Sequence, residues 1–207
     1  MSSAGRGPRL GGPDDFCATP AWVVDRLLDL WEPRDGVILE PAAGTGAIIA
    51  AIEARGCANE WMAVECRATA APECRASGAN PVIADFLAWE PPAHVTIEVK
   101  TVITNPPFAL CEEFIRRSSD VFPNAELVFL VRLGFLASQK RIALWNDVGT
   151  PDVYVLPNRP SFVASGAAGW ADYCWIVLPP VHRDAGMFSV LDSTPAGVRR
   201  PKKGRAA

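Results

Sequence analysis

The sequence lacks the features that mark membrane, secreted and zinc-binding proteins. No apolar run approaches the roughly 18 residues of a membrane-spanning helix, so we expect no association with a membrane. The six cysteines form no Cys-x-x-Cys pair and neither histidine lies near one of them, so we expect no metal site. Cysteines in this pattern are typical of reduced intracellular thiols, which favours the cytoplasm.

An excess of positive charge is absent as well. The formal net charge is −3, although five of the twenty Lys and Arg residues fall within the last nine positions. Without those five charges the rest of the chain carries −8. A negatively charged domain is not typical of proteins that bind duplex DNA over a broad surface. We interpret the basic end, residues 193–207, as a solvated and disordered tail, with phosphate contact as the alternative.

The two ends flank one domain. Residues 1–13 are rich in Gly, Pro and Arg and lack the apolar core of a signal peptide, so a flexible leader is expected there. Hydrophobic residues make up 49% of the 207-residue chain, enough for a single sizeable core. We therefore place the folded domain at residues 14–192.

Short apolar segments alternate with helical segments, which is typical of an α/β fold. Thr19 and Pro20 predict a helix start, with the Thr19 hydroxyl as N-cap and proline in the first turn. A second helix is expected at 47–55, ending at Gly56. About seven strands are expected, at residues 36–39, 60–64, 82–84, 99–104, 127–130, 153–156 and 174–178.

Polar side chains follow four of these strands directly. Glu40, Glu65, Asp85 and Asn105 are spaced about one strand–helix unit apart. In open α/β sheets the carboxyl ends of the strands form the edge at which ligands bind. The spacing therefore predicts that the four side chains line one rim.

A glycine turn, Gly44 and Gly46, lies between the first strand and its helix. Glycine lets the backbone turn sharply and approach a ligand, and the helix start offers free amide hydrogens. Ile49 breaks the GxGxxG dinucleotide pattern and the lysine of a P-loop is missing, so a ligand without pyrophosphate is favoured. Glu65 is placed to accept hydrogen bonds from ribose hydroxyls. A turn that needs only a tight bend is the alternative.

The tetrad Asn-Pro-Pro-Phe at 105–108 suits transfer to an amine. An amine on an aromatic ring is a poor nucleophile, and two hydrogen-bond acceptors can direct its lone pair towards an electrophile. Asn105 can supply one acceptor and the Pro106 carbonyl the other, while Pro106 and Pro107 hold the backbone rigid. Phe108 can stack on the base. The alternative is an ordinary Pro-Pro turn.

These residues resemble the motifs of the adenine-N6 DNA methyltransferases, over about residues 15–178. The resemblance implies a Rossmann-like class I fold, a mostly parallel sheet with helices on both faces, and S-adenosylmethionine as cofactor. It makes residues 14–192 the methyltransferase domain. It implies a cofactor site formed by Phe16, Thr19, Pro20, Glu40, Pro41, Ala42, Gly44, Gly46, Glu65, Asp85 and Phe86. It implies Asn105, Pro106, Pro107 and Phe108 as the catalytic motif.

The stretches at 130–136 and 153–162 are similar to those of small phage and prophage members, which would place the protein in a bacterial or phage-infected cell. In that family an aromatic near Phe162 faces the target base; a core phenylalanine is the alternative. The Gly-rich stretch 157–173 is a long loop, and we expect it to contact DNA, with Arg159 near phosphate or base. A target base in duplex DNA would have to be flipped out of the helix to reach the motif.

Other functions remain open from the sequence. No separate target-recognition domain is apparent, which points to a short recognition site or an unidentified specificity partner. Methyltransferases of ribosomal RNA and of release-factor glutamine share Asn-Pro-Pro-aromatic motifs, and two acceptors also suit an amide. A non-catalytic nucleic-acid-binding module and a small-molecule enzyme of this fold are further alternatives.

Overall fold

The computed structural model describes residues 18–162, 171–182 and 186–191. They form one eight-stranded sheet with the strand order β3-β2-β1-β4-β5-β7-β6-β8. The strands are β1 (Val37–Glu40), β2 (Glu60–Glu65), β3 (Pro81–Ile83), β4 (Val99–Thr104), β5 (Glu126–Arg132), β6 (Asp152–Val155), β7 (Tyr173–Leu178) and β8 (Phe188–Val190).

Most of the sheet is parallel. Strands β1 to β5 pair in parallel, whereas β7 is antiparallel to both β5 and β6. The last strand, β8, extends the sheet in parallel beside β6. All seven expected strands are present, which confirms the α/β prediction. The eighth was not predicted, because a three-residue edge strand with two exposed side chains has no clear periodicity.

Six helices cover the sheet. Their bounds are α1 (Ala21–Leu28), α2 (Ala47–Glu53), α3 (Ala71–Ala76), α4 (Ala93–Glu98), α5 (Cys111–Val121) and α6 (Ile142–Val148). The predicted second helix is therefore two residues shorter than expected, and Gly56 follows its cap with φ of +79°.

Alternating strand residues face two cores. Ile38 packs with α1 and α2, whereas its neighbour Leu39 packs with α4, α5 and α6. The same alternation recurs in β4 and β5, because successive side chains of a strand point to opposite faces. Burial on both faces explains why these strands are nearly continuous apolar runs. Helices on both faces are thus confirmed.

The predicted N-cap of α1 is wrong. The helix begins at Ala21, its N-cap is Pro20, and no side chain caps it. The Thr19 hydroxyl accepts a hydrogen bond from the side chain of Asn105 instead. A tertiary partner has taken the group that the local sequence assigns to the helix end.

None of the helices in the described ranges is long and apolar enough to cross a membrane. The predicted leader at 1–13, the predicted cofactor residue Phe16 and the tail at 193–207 lie outside the described residues.

Candidate active site

The carboxyl ends of β1 to β4 surround a cavity of about 460 Å³. The polar residues at or just after the ends of these four strands line it, namely Glu40, Glu65, Asp85 and Asn105. The expected juxtaposition follows from parallel pairing, because the carboxyl ends of parallel strands meet at one edge of the sheet. The rest of the predicted loop and motif also lines the cavity, through Thr19, Pro41, Ala42, Gly44, Phe86, Pro106, Pro107 and Phe108.

The glycine turn is tied to the end of β2. Gly44 has φ of +55°, and its amide donates to Glu65 Oε2 at 2.7 Å. Gly46 has φ of +78° and does not line the cavity. A Cβ at Gly46 would lie 2.6 Å from the Cβ of Ser77, so this glycine is required by the packing of α2 against α3. The two glycines therefore serve different purposes.

The Glu65 carboxylate is buried, and it accepts hydrogen bonds from several neighbouring groups of the protein. Its Oε1 accepts from the Arg67 amide at 2.9 Å and from Arg67 Nε at 2.8 Å. Burial alone would raise the pKa of Glu65, but the hydrogen bonds from Arg67 and Gly44 outweigh it and lower that pKa below its ordinary value. The side chain is therefore ionised at neutral pH. Oε2 has only the Gly44 partner among the described donors, and a carboxylate oxygen can accept more than one.

Glu40 has the opposite environment. Its side chain is 2% exposed, and its Oε2 has no hydrogen-bond partner among the described residues. Burial, followed by repulsion from Glu65, raises the pKa of Glu40 well above its ordinary value. A buried carboxyl group in this state gains from a cationic or hydrogen-donating ligand in the cavity.

Asn105 is oriented by the segment that precedes α1. Its Nδ2 donates to Thr19 Oγ1 at 3.1 Å. Because the nitrogen of the planar side-chain amide points at Thr19, the Asn105 Oδ1 atom points away from it. Pro106 is buried and Pro107 is exposed, and the chain then enters a 3₁₀ turn at Phe108–Leu110 and α5.

Phe108 belongs to an aromatic cluster. Phe162 meets it edge-on at 6.1 Å between ring centroids, and Tyr173 lies at 5.5 Å. Phe162 and Tyr173 are themselves 5.1 Å apart. The Arg132 guanidinium lies over the Phe108 ring, with Cζ 4.6 Å from the centroid. Phe162 thus lies beside the motif without lining the main cavity, a placement that suits both a core role and a substrate-facing one.

The far end of the cavity is bounded by Asp85 and Phe86. Asp85 is exposed, and one of its carboxylate oxygens accepts from the Leu87 amide at 3.0 Å. Phe86 is 3% exposed and packs against Phe114, with ring centroids 5.1 Å apart. This end therefore combines an apolar wall with an accessible carboxylate.

Some predicted residues lie apart from the cavity, and some lining residues were not predicted. Arg159 forms an exposed ion pair with Asp172, 2.7 Å from Nε to Oδ1, and neither it nor Pro20 lines the cavity. Arg67 lines the cavity and was not predicted, although a cation two residues after a predicted ligand-binding acid was a usable signal. Other unpredicted lining residues include Thr45, Cys66, Leu110 and Phe114.

No protein-family model matches the sequence. Among solved structures, the chain is similar to a predicted O-methyltransferase from Agrobacterium tumefaciens, with 21% identity, a TM-score of 0.57, and coverage of 82% of this chain and 86% of that one. It is also similar to the methyltransferase subunit of a type I restriction-modification system from Streptococcus thermophilus, with 14% identity, a TM-score of 0.60, and coverage of 79% and 45%.

A third similar structure is a dimethyladenosine transferase from Plasmodium falciparum, with 13% identity, a TM-score of 0.61, and coverage of 80% and 63%. The chain thus spans about half the length of the restriction-modification subunit and nearly all of the Agrobacterium protein. At such identities the likeness concerns the fold. The described residues have the Rossmann-like α/β fold of class I methyltransferases.

Proposed function

We propose that the protein is an S-adenosylmethionine-dependent methyltransferase that methylates the exocyclic amine of adenine in DNA. The observation that carries this proposal is the Asn105 side chain, held by Thr19 at the edge of a cavity that contains two buried carboxyl groups. The fold of class I methyltransferases is consistent with it.

The cavity residues fit this cofactor. Glu40 Oε2, buried without a described partner, suits the ammonium of the methionine part. Glu65 Oε2 has capacity for a ribose hydroxyl, and the wall at Asp85 and Phe86 suits the adenine. A volume of about 460 Å³ lies within the usual size of small-molecule sites. The segments with Phe16 and Thr19, and with Pro41, Ala42 and Gly44, would complete the site, whereas Pro20 and Gly46 would only hold these segments in place.

S-adenosylmethionine supplies an electrophilic methyl group when bound. Asn105 Oδ1 and the Pro106 carbonyl would accept hydrogen bonds from the two hydrogens of the target amine and so direct its lone pair at that methyl. Pro106 and Pro107 keep both acceptors in place, so little reorganisation is needed at the moment of transfer. Phe108 and Phe162 offer ring surface to the base. Positioning of two reactants is the main source of rate.

DNA is proposed as the target partly because one similar structure is a methyltransferase subunit of a restriction-modification system. The matched part of this chain covers 45% of that subunit. A separate specificity partner or a short recognition site belongs to the same proposal. RNA is the second candidate, because the chain is also similar to the solved structure of a 23S rRNA methyltransferase. Methylation of a release-factor glutamine and binding without catalysis are the remaining alternatives.

Methyl transfer from tritiated S-adenosylmethionine tests the proposal. Duplex DNA, ribosomal RNA and a release factor are supplied separately, and labelled nucleic acid is digested to nucleosides. We expect the label in N6-methyldeoxyadenosine. Label in RNA or in glutamine would overturn DNA as the substrate, and cofactor binding without any transfer would favour the non-catalytic module.

Asn105→Ala tests the mechanism. We expect the variant to retain cofactor binding and to lose methyl transfer by a factor of about 100 or more, as for other preorganised donors or acceptors. The matched control is Asn124→Ala, since Asn124 is an exposed residue just before β5. Full activity of Asn105→Ala would contradict the mechanism.

A further inference from the structure

Positive charge without an ion-pair or hydrogen-bond partner is concentrated in one short segment of the described chain. Within the described ranges, the charged groups of Arg132, Lys140 and Arg141 have neither an ion pair nor a hydrogen bond. Every other basic side chain in those ranges has one, namely Arg26, Arg34, Arg55, Arg67, Arg75, Lys100, Arg116, Arg117 and Arg159. We name Arg132, Lys140 and Arg141 the β5 cationic segment.

This segment lies at the same edge of the sheet as Asn105. Strand β5 pairs in parallel with β4, so the ends of the two strands are neighbours. Arg132 is the last residue of β5, and Asn105 directly follows β4. Two 3₁₀ turns, Leu133–Phe135 and Gln139–Arg141, then hold the chain at this edge.

Two of the cations lie close to the catalytic motif or to the helix that follows it. Arg132 covers the Phe108 ring at 4.6 Å. The Arg141 guanidinium lies over the Phe135 ring, with Cζ 3.9 Å from the ring centroid. Its positive charge also acts on the Cys111 thiol at the start of α5. Burial raises the pKa of Cys111 to about 12, and Arg141 opposes that rise. Arg132 therefore lies against the motif itself, and Arg141 lies near the start of the helix that follows it.

Ring contacts leave the hydrogen-bonding capacity of these cations unused. The Nε atoms of Arg132 and Arg141 are buried and have no hydrogen-bond partner. Asp172 lines the same shallow groove as Arg132, but its carboxylate is bound by Arg159. Both side chains are only half-buried, and their terminal nitrogens are not among the buried unpartnered atoms. These nitrogens are available to an incoming anion, above all to one with paired oxygens such as phosphate.

We propose that the β5 cationic segment binds the phosphates that flank the target nucleotide. This inference rests on the proposed function, since it assigns a backbone-binding surface to the same substrate. Phosphate contacts would position the DNA strand over Phe108, while the rest of the acidic protein contributes little to DNA affinity. None of the three residues lines the main cavity, so cofactor binding does not depend on them.

Charge removal with a matched control tests this surface. The test protein carries Arg132→Gln, Lys140→Gln and Arg141→Gln together. The control carries Arg34→Gln, Arg75→Gln and Lys100→Gln, which removes the same net charge from side chains bonded to neutral groups. Binding of a fluorescent duplex DNA and of a duplex RNA of the same sequence is measured between low and physiological salt.

We expect the slope of log affinity against log salt concentration to fall by roughly 0.9 for each lost DNA phosphate contact in the test protein. The control should keep the slope of the unmodified protein. Both should bind S-adenosylmethionine as the unmodified protein does, which shows that they are folded. Arg132→Lys should keep most of the slope, because the charge remains.

The outcomes separate the surface from the proposed function. Equal salt slopes of DNA binding in the test and control proteins would overturn the proposed phosphate-binding surface, even with methyl transfer intact. A slope change confined to RNA would overturn DNA as its ligand. If the unmodified protein binds no S-adenosylmethionine, the proposed function fails, whereas a slope lost only in the test protein still supports the surface.

Discussion

Asn105 Nδ2 donates to Thr19 Oγ1 at 3.1 Å, across 86 residues of sequence. The contact joins the end of β4 to the segment before α1, and it determines which branch of the Asn105 amide is turned away from Thr19. An acceptor that must meet a substrate amine benefits from such fixed orientation. We infer that Thr19 positions Asn105.

Thr19→Val removes the hydroxyl at nearly constant volume. We expect kcat to fall about tenfold, which corresponds to about 1.4 kcal/mol, because Asn105 loses its orienting acceptor. The dissociation constant for the cofactor should change less than kcat. Thr19→Ser is the control and should keep most of the activity; equal losses in the Ser and Val variants would contradict a positioning role.

Glu40→Gln should stabilise the unliganded protein and weaken cofactor binding. Above pH 4.5 the unfolded chain ionises Glu40 while the folded chain retains the proton, so stability falls as pH rises towards the raised pKa. The gain in Tm from Glu40→Gln should therefore grow with pH. About 1 kcal/mol corresponds to roughly 2–4 °C at this chain length, measurable by thermal denaturation, and titration calorimetry gives the affinity.

Glu65→Gln provides the opposite case. The pKa of Glu65 is lowered, so its ionised form stabilises the fold above the ordinary value of 4.5, and this stability is lost as pH falls through the lowered pKa. We expect Glu65→Gln to lower Tm at neutral pH and to lose this effect in acid. A rise in Tm at neutral pH for Glu65→Gln would contradict the assigned ionisation states.

Gly46→Ala should destabilise the protein more than Gly56→Ala does. Both glycines have φ near +78°, which costs an alanine roughly 1–2 kcal/mol. A Cβ at Gly46 also meets Ser77 at 2.6 Å, whereas one at Gly56 meets nothing within 4 Å. The collision should add about 1–3 kcal/mol. Chemical denaturation measures both, and similar losses would show that packing against Ser77 is unimportant.

Arg159→Ala tests the contact that we expect between the 157–173 stretch and DNA. A direct phosphate contact should lower the salt slope of DNA binding by about 0.9. The control, Asp172→Asn, frees the guanidinium from its ion pair and should raise DNA affinity. An unchanged salt slope of DNA binding in Arg159→Ala would show that Arg159 forms only the ion pair with Asp172 and no contact with DNA.

Much of the site is predictable because its geometry follows from connectivity. Parallel strands joined by helices bring their carboxyl ends to one edge, so the spacing of Glu40, Glu65, Asp85 and Asn105 was sufficient to place them together. The strand–turn–helix order likewise placed Gly44 at the cavity. These relationships depend on local sequence and on the handedness of the connections.

The partners of these side chains were not predictable in the same way. The sequence assigned the Thr19 hydroxyl to a helix end, whereas the fold pairs it with Asn105. It treated both glycines of the turn as ligand-facing, whereas Gly46 faces Ser77. Such contacts depend on how distant segments pack.

The sequence by itself determined the α/β fold and the rim of polar strand ends, and it is the source of the proposal that residues 105–108 act on an amine. Only the tertiary structure decided which carboxyl has a raised pKa and which a lowered one, how the Asn105 amide is turned and which cations have no ion pair. The difference has a physical reason. Backbone conformation follows from neighbouring residues, whereas burial, hydrogen bonding and charge pairing are set by residues that are distant in sequence.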